Sequence, residues 1–232
     1  MITITGTDVY GFQHAVKGAR NSWNSWEKSD SCFDVTKDGH PILGENDLKL
    51  LGNLAKAGSS HAKSRRKIVV YADITAPLYW WKQMDTYKIG TVSDSTSTMH
   101  TICAKQFDDS DFSIEHLTTL IDQHVSVSGQ WHTVPISYKA NFNRLSFVLN
   151  KARDIYLDYK EKGNEEMAEQ AWWQIIQLLP ESYNQLRSMM FNYENLSHMY
   201  HDRRHHKLGE WHVFCEWVET LPYSKELIIG EV

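Results

Sequence analysis

The stretch that most constrains this chain runs from Lys67 to His100, KIVVYADITAPLYWWKQMDTYKIGTVSDSTSTMH. Its first part, Ile68 to Ile74, is short, apolar and rich in β-branched residues, which predicts a strand on a buried or half-buried surface. Thr75-Ala76-Pro77 reads as the break, because proline lacks an N–H and is pre-set for a first helical position. Leu78, Trp81, Gln83 and Met84 then follow at near-helical spacing. Gly90 to Thr98 is a run of hydroxyls with one carboxylate, Asp94. Such runs compete with regular backbone pairing, and the plain reading is a solvated linker. This run is short and lies between Trp80-Trp81 and the apolar segment Met99 to Ala104. The alternative is therefore a packed loop whose hydroxyls and N–H groups face something polar, and a phosphate would suit it.

Along the rest of the chain, Met1 to Thr5 alternates apolar and hydroxyl residues and predicts a first strand closed by Gly6. Val9, Phe12, Val16, Ala19 and Trp23 recur at helical intervals within Asp8 to Trp26. Lys28 to Glu45 is polar and turn-rich, an irregular excursion. Asn46 to Ala57 presents Leu48, Leu51, Leu54 and Ala55 on one face, with Asn46 or Glu45 placed to cap it and Gly58 to stop it. Ile114, Leu117, Leu120, Ile121 and Val125 predict a helix over Phe112 to Val127, ended by Ser128-Gly129. Asn141 to Lys162 is a stronger helix, with Leu145, Val148, Leu149, Ala152, Ile155, Tyr156 and Tyr159 on one stripe. Glu165 to Leu179 continues in the same manner until Pro180.

Composition narrows the function classes. With 24 Lys and Arg against 29 Asp and Glu, the net charge is −5, so no global positive field draws the chain to polymeric nucleic acid or to acidic membranes. Cys32, Cys103 and Cys215 are far apart, which gives neither a disulfide framework nor a CxxC metal site. No basic-then-apolar leader and no apolar run of transmembrane length stand out, so the expected location is cytoplasmic. Lys63, Arg65, Arg66 and Lys67 form a basic cluster that is either a solvated loop or a phosphate clamp.

The hydroxyl-rich stretch resembles the hallmark of the flavin-dependent thymidylate synthases, Gln-x-x-Arg-His-Arg-x-x-Ser-x-Asn-Glu-x-Ser-x-Arg-Tyr. Setting Gln83 on the family glutamine puts Thr86-Tyr87-Lys88 on Arg-His-Arg, Thr91 on the first serine and Ser93-Asp94 on Asn-Glu. With one inserted residue, Ser97, Met99 and His100 fall on Ser, Arg and Tyr. The Ala19-Arg20 pair resembles the family's early Ala-Arg segment, and Gly58, His61 and Ser64 resemble its Gly-His-x-Ser segment, where the histidine lies near the flavin. Further on, Gln174 to Pro180 resembles Arg-x-x-Leu-Pro, and Asn192 to Arg203 resembles the helix Asn-x-x-x-Leu-x-x-Phe-x-x-x-Arg. Most of the family's arginines are replaced: Lys88 keeps one charge but, as a point donor, cannot make a two-pronged contact.

The resemblance implies an α+β (α/β) fold, a mixed sheet flanked by helices, forming a single domain over residues 1–232. It implies a homo-oligomer, a tetramer, with ligand sites between subunits built from the Thr86 to His100 loop and the His198 to Arg203 helix. FAD would be the cofactor, contacted by His61, Tyr87 and Lys88. A pyrimidine deoxynucleotide such as dUMP would be held by Asp94, Ser97, His198, Arg203 and Arg204, and methylated with a folate one-carbon donor. The alternative is a protein that keeps the scaffold and binds a nucleotide without turning it over. The resemblance assigns no catalytic residue to this chain. His198, His201, His205, His206 and His212 invite a metal reading, but no HExxH, paired carboxylate or cysteine set accompanies them. Beside Arg203, Arg204 and Lys207 they suit a basic wall for an anion better.

Overall fold

A computed structural model describes residues 2–37, 40–58, 60–119 and 121–230. Its elements in chain order are β1 (Thr3–Tyr10), α1 (Phe12–Arg20), β2 (Cys32–Lys37), β3 (His40–Ile42), α2 (Glu45–Lys56), β4 (Val69–Pro77), α3 (Leu78–Met84), β5 (Val92–Ser95), α4 (Thr98–Thr101), β6 (Ile121–Val127), β7 (Gln130–Ile136), α5 (Tyr138–Glu161), α6 (Glu165–Leu178), β8 (Asn184–Asn192), α7 (Tyr193–Arg203) and α8 (Gly209–Glu219). The fold is α+β, with helices flanking antiparallel sheets. The main sheet has the order β1-β4-β8-β5, in which β1 runs antiparallel to β4 and β5 antiparallel to β8. Residues 2–76, 80–95 and 186–230 make one compact unit, and residues 77–79 and 96–185 another.

In the larger unit the β-branched run does form the central strand. Ile68, Val70, Ala72, Ile74 and Ala76 are buried at alternate positions, the period of a strand with one covered face. Strand β1 does not stop at Gly6. Gly6 takes a left-handed φ of 61°, the register slips between Thr5 and Asp8, and the strand resumes as far as Tyr10 opposite Val69. A bulge replaces the expected end. The excursion at 28–45 contains the β2–β3 hairpin. Helix α2 is capped in trans: Asp30 Oδ2 accepts the Asn46 N–H at 2.9 Å and Oδ1 the Asp47 N–H at 3.1 Å, while Gly44 holds the N-cap position. Neither Asn46 nor Glu45 caps it.

In the smaller unit α5 and α6 pack as a helical hairpin. Ser137 and Asn164 cap their N-termini by accepting the Ala140 and Met167 N–H groups. Their core takes in Ile102, Cys103, Phe107, Phe112, Phe142, Leu149, Ala152 and Ile175. The expected helix over 112–127 is absent. Ile121–Val127 is a strand paired with Gln130–Ile136 across Ser128-Gly129, both at positive φ, 52° and 84°. Two successive left-handed residues form the turn whose twist matches a hairpin. Of the apolar residues that suggested the helix, Leu120 lies outside the described residues. No helix among the described residues is long and apolar enough to cross a membrane.

Candidate functional site

The site grows from the turn after α3, where Thr86 to Gly90 is strapped along α7. At the N-terminal end of α7, Asn192 and Asn195 form a reciprocal cap, and Asn195 Nδ2 also donates to the Ile89 carbonyl at 2.5 Å. Gly90 sits against that cap at φ 75°, and a Cβ there would lie 2.8 Å from Asn192 Nδ2. Only glycine fits both the backbone and the space. Two turns along the helix, Tyr87 Oη donates to Asp202 Oδ2 at 3.2 Å and accepts from Arg203 Nε at 2.8 Å. Thr91 Oγ1 fastens the turn by donating to the Tyr87 carbonyl at 2.5 Å.

Arg203 is held on its faces as well as its edge. The guanidinium lies 5.4 Å from the Tyr87 ring centre and 4.9 Å from that of Trp211, contacts worth about 0.5–1 kcal/mol each at partly exposed sites. Trp211 is fixed in turn by Nε1 donating to Gln83 Oε1 at 2.8 Å. From Trp211 a row of buried indoles leads to a second arginine. Trp80 stands 4.8 Å from Trp211 and 4.9 Å from Trp81, and Arg187 stacks 4.3 Å over Trp81 while Nη1 pairs with Asp85 at 2.7 Å. The register places Arg187 opposite Ser95 and Ser188 opposite Asp94.

The protonation states follow from these contacts. Burial raises the Tyr87 phenol above its ordinary value, with Arg203 opposing and Asp202 reinforcing the shift, so it stays a phenol. Burial lowers His206, and Arg203, His212 and Lys207 lower it further. Its Nδ1 accepts the Leu208 N–H at 3.1 Å, as a neutral ring can. Burial, Arg204 and Arg65 likewise lower His201. Near pH 7 these two histidines are uncharged, so the positive charge at this end of α7 comes from Arg203, Arg204 and Lys207.

The residues singled out in the sequence diverge in space. Tyr87 and Arg203 touch. His198 faces the other way, with Nε2 3.7 Å from Glu194 Oε1. Glu194 also takes Arg65 at 3.5 Å and Arg66 at 4.0 Å. Lys67 Nζ reaches the His14 carbonyl at 3.4 Å. Arg65, Arg66 and Lys67 of the basic cluster thus each meet an acceptor on the protein itself. His61 precedes the 3₁₀ turn Ala62–Lys67, which packs on α1, α2 and α7. Lys88 and Arg204 are exposed, and Arg204 is the C-cap of α7. Asp94 lines a cleft of about 320 Å³ with Asp73, Tyr71 and Ser188, and Ser188 Oγ donates to Asp73. Ser97 belongs to the smaller unit, where it precedes α4 and its carbonyl accepts Thr101 Oγ1 at 2.7 Å. Arg187 and Trp211 escaped the sequence reading. Arg187 sits in a strand with no motif around it, and Trp211 is one of nine tryptophans.

Solved structures match the fold over nearly the whole chain. The chain has the fold of the flavin-dependent thymidylate synthases. The structure of flavin-dependent thymidylate synthase ThyX from Helicobacter pylori, complexed with FAD and dUMP, superposes with a TM-score of 0.61 at 17% identity, covering 97% of each chain. The UMP/dUMP methylase PolB from Streptomyces cacaoi, bound with 5-Br dUMP, matches with a TM-score of 0.60 at 16% identity, covering 100% of this chain and 96% of that one. No family model and no curated protein matches the sequence. Within the chain, Tyr87 Oη bonds to Arg203 and Asp202, and Thr86 Oγ1 donates to the Gln83 carbonyl.

Proposed function

We propose that the protein binds a pyrimidine deoxynucleotide such as dUMP, with Arg203 as the anchor of its phosphate. One observation carries this. Arg203 Nε is held by Tyr87 Oη, its plane is fixed between two rings, and among the described residues neither Nη group donates to a protein acceptor. A half-buried guanidinium with an oriented, uncommitted fork matches two phosphate oxygens at once. Arg204 and Lys207 add charge without competing for that geometry, and the neutral His206 leaves room for a base or sugar edge. That the similar structures hold dUMP and 5-Br dUMP supports the choice of nucleotide.

A second reading adds turnover: FAD-dependent methylation of the bound nucleotide, favoured by the two-way 97% coverage with an enzyme solved with FAD and dUMP. Asp94 and Ser97 would serve the nucleotide, and His61 and Lys88 the flavin, from neighbouring protomers of a tetramer. Titration calorimetry with dUMP tests the first reading. Arg203→Ala weakens binding by about 30-fold if it holds, and unchanged affinity in that variant overturns it. For the second reading, a yellow purified protein with flavin absorbance supports turnover. A colourless protein whose melting temperature rises with dUMP but not with FAD supports binding alone.

A further inference from the structure

A loop on the larger unit is anchored to a buried carboxylate and yet turns two tryptophans to solvent. Asp47 is fully buried, and its Oδ1 accepts Arg20 Nε at 2.5 Å. Its Oδ2 accepts Ser29 Oγ and Ser31 Oγ, both at 2.6 Å, and the N–H groups of Asp30 and Ser31 at 3.3 and 3.2 Å. Gly44 closes the underside, since a Cβ there would lie 2.1 Å from Asp30 Cγ. Trp26 is pinned by Nε1 donating to Asn21 Oδ1 at 2.8 Å. Trp23 is 86% exposed, and among the described residues no ring or cation covers it. The network fixes the backbone on which Trp26 is held and from which Trp23 projects into solvent.

The loop borders a cleft of about 700 Å³ lined by Arg20, Trp23, Ser25, Glu27, Lys28 and Asn46. That volume lies within the range of about 300–1,000 Å³ usual for small-molecule sites. Glu27 and Lys28 make no side-chain hydrogen bond or ion pair among the described residues, so both can serve a ligand. From this geometry we propose that the cleft binds a purine nucleotide, independently of the Arg203 site. The Trp23 indole supplies a flat face on which a base stacks. The Glu27 carboxylate and the Asn46 amide oxygen accept from an exocyclic amine. Guanine can offer its N1–H and 2-amino group to one carboxylate, and adenine its 6-amino group. Uracil presents a single N–H between two carbonyl oxygens, which face Glu27 as like partial charges, and cytosine, though it has an amine, covers less of the exposed Trp23 face with its one ring than a purine does with two. Lys28 takes the phosphate as a point charge, while the charge of Arg20 is already balanced by Asp47.

The test is calorimetry of the intact protein with GMP and with AMP, alongside UMP. The expected result is binding of GMP or AMP at least about tenfold tighter than UMP. Trp23→Ala weakens it at least about tenfold and Lys28→Ala by a few-fold, and Trp23→Phe restores most of the loss. Trp23 is exposed, so the substitutions leave folding intact, which circular dichroism checks. Arg203→Ala leaves purine affinity unchanged and Trp23→Ala leaves dUMP affinity unchanged, so each proposal fails separately. The inference is overturned if neither purine binds below about 1 mM or if Trp23→Ala binds as the wild type does. Self-association that depends on Trp23 in sedimentation, without purine binding, also overturns it.

Discussion

Arg20 and Arg203 each end a helix beside an aspartate, and the molecule uses them in opposite ways. Arg20 is 6% exposed, contacts Asp47 directly and donates from Nη1 to the Ser25 carbonyl at 3.3 Å. Arg203 is half-buried and meets Asp202 only through the Tyr87 hydroxyl, with both Nη groups turned away from protein acceptors. The first pair is closed and holds a loop in place. The second is held in orientation but left unsatisfied, and an arginine in that condition is a receptor for an anion. A guanidinium becomes structural when its acceptors are protein atoms, and available for binding when its neighbours are rings and one phenol.

The largest difference should appear when each acid or arginine is removed. Asp47→Ala leaves Arg20 buried without a counter-charge and releases Ser29 and Ser31, so urea unfolding should show a loss of about 3–5 kcal/mol. The same pair sets an acid limb. Burial raises the Asp47 carboxyl, but bonds from Ser29, Ser31 and Arg20 outweigh it and hold the group below its ordinary value. The stability it contributes is therefore present above the unfolded value of about 4 and is lost as pH falls through the lower folded value. Asp47→Asn should flatten that limb in acid titrations of the unfolding free energy. Arg203→Ala should reverse the balance seen in Asp47→Ala: dUMP affinity falls by about 30-fold, while unfolding changes by only about 1–2 kcal/mol, the share of its two ring contacts and the bond to Tyr87. Tyr87→Phe keeps the ring under the guanidinium and removes the bond to Nε. About 1 kcal/mol of dUMP affinity should go, most of it in the dissociation rate. The smallest effect belongs to Asp85→Ala. Its partner Arg187 stays stacked on Trp81 and Asp85 itself is half exposed, so stability should shift by no more than about 1 kcal/mol.

How far this was legible in the sequence depends on the range of the interaction. The strand around Val70 and the helices α5, α6 and α7 follow from local period and caps, and the family-like frame around Gln83 and Asn192 led to the fold. The helix expected over Phe112 to Val127 gives way to a strand at Ile121–Val127 because its apolar residues there fit both periods, and Ser128-Gly129 serves a hairpin turn as well as a helix stop. The Asp47 network joins residues 16 to 27 positions apart, which no local pattern encodes. At the site, Tyr87 and Arg203 were both named from the resemblance, but their direct bond spans 116 positions and is visible only in the fold. The two readings of the basic cluster at Lys63 to Lys67 stayed open for the same reason, since the acid that Arg65 and Arg66 meet, Glu194, is remote in sequence.

The account stands or falls on whether the fork of Arg203 is what recognises the phosphate. The direct measurement is calorimetry of wild type and Arg203→Lys with dUMP and with deoxyuridine, which lacks only the phosphate. The account predicts that wild type prefers dUMP at least about tenfold and that lysine, a point donor, erases most of that preference while deoxyuridine binding stays as it was. An equal preference for dUMP in both proteins would contradict it.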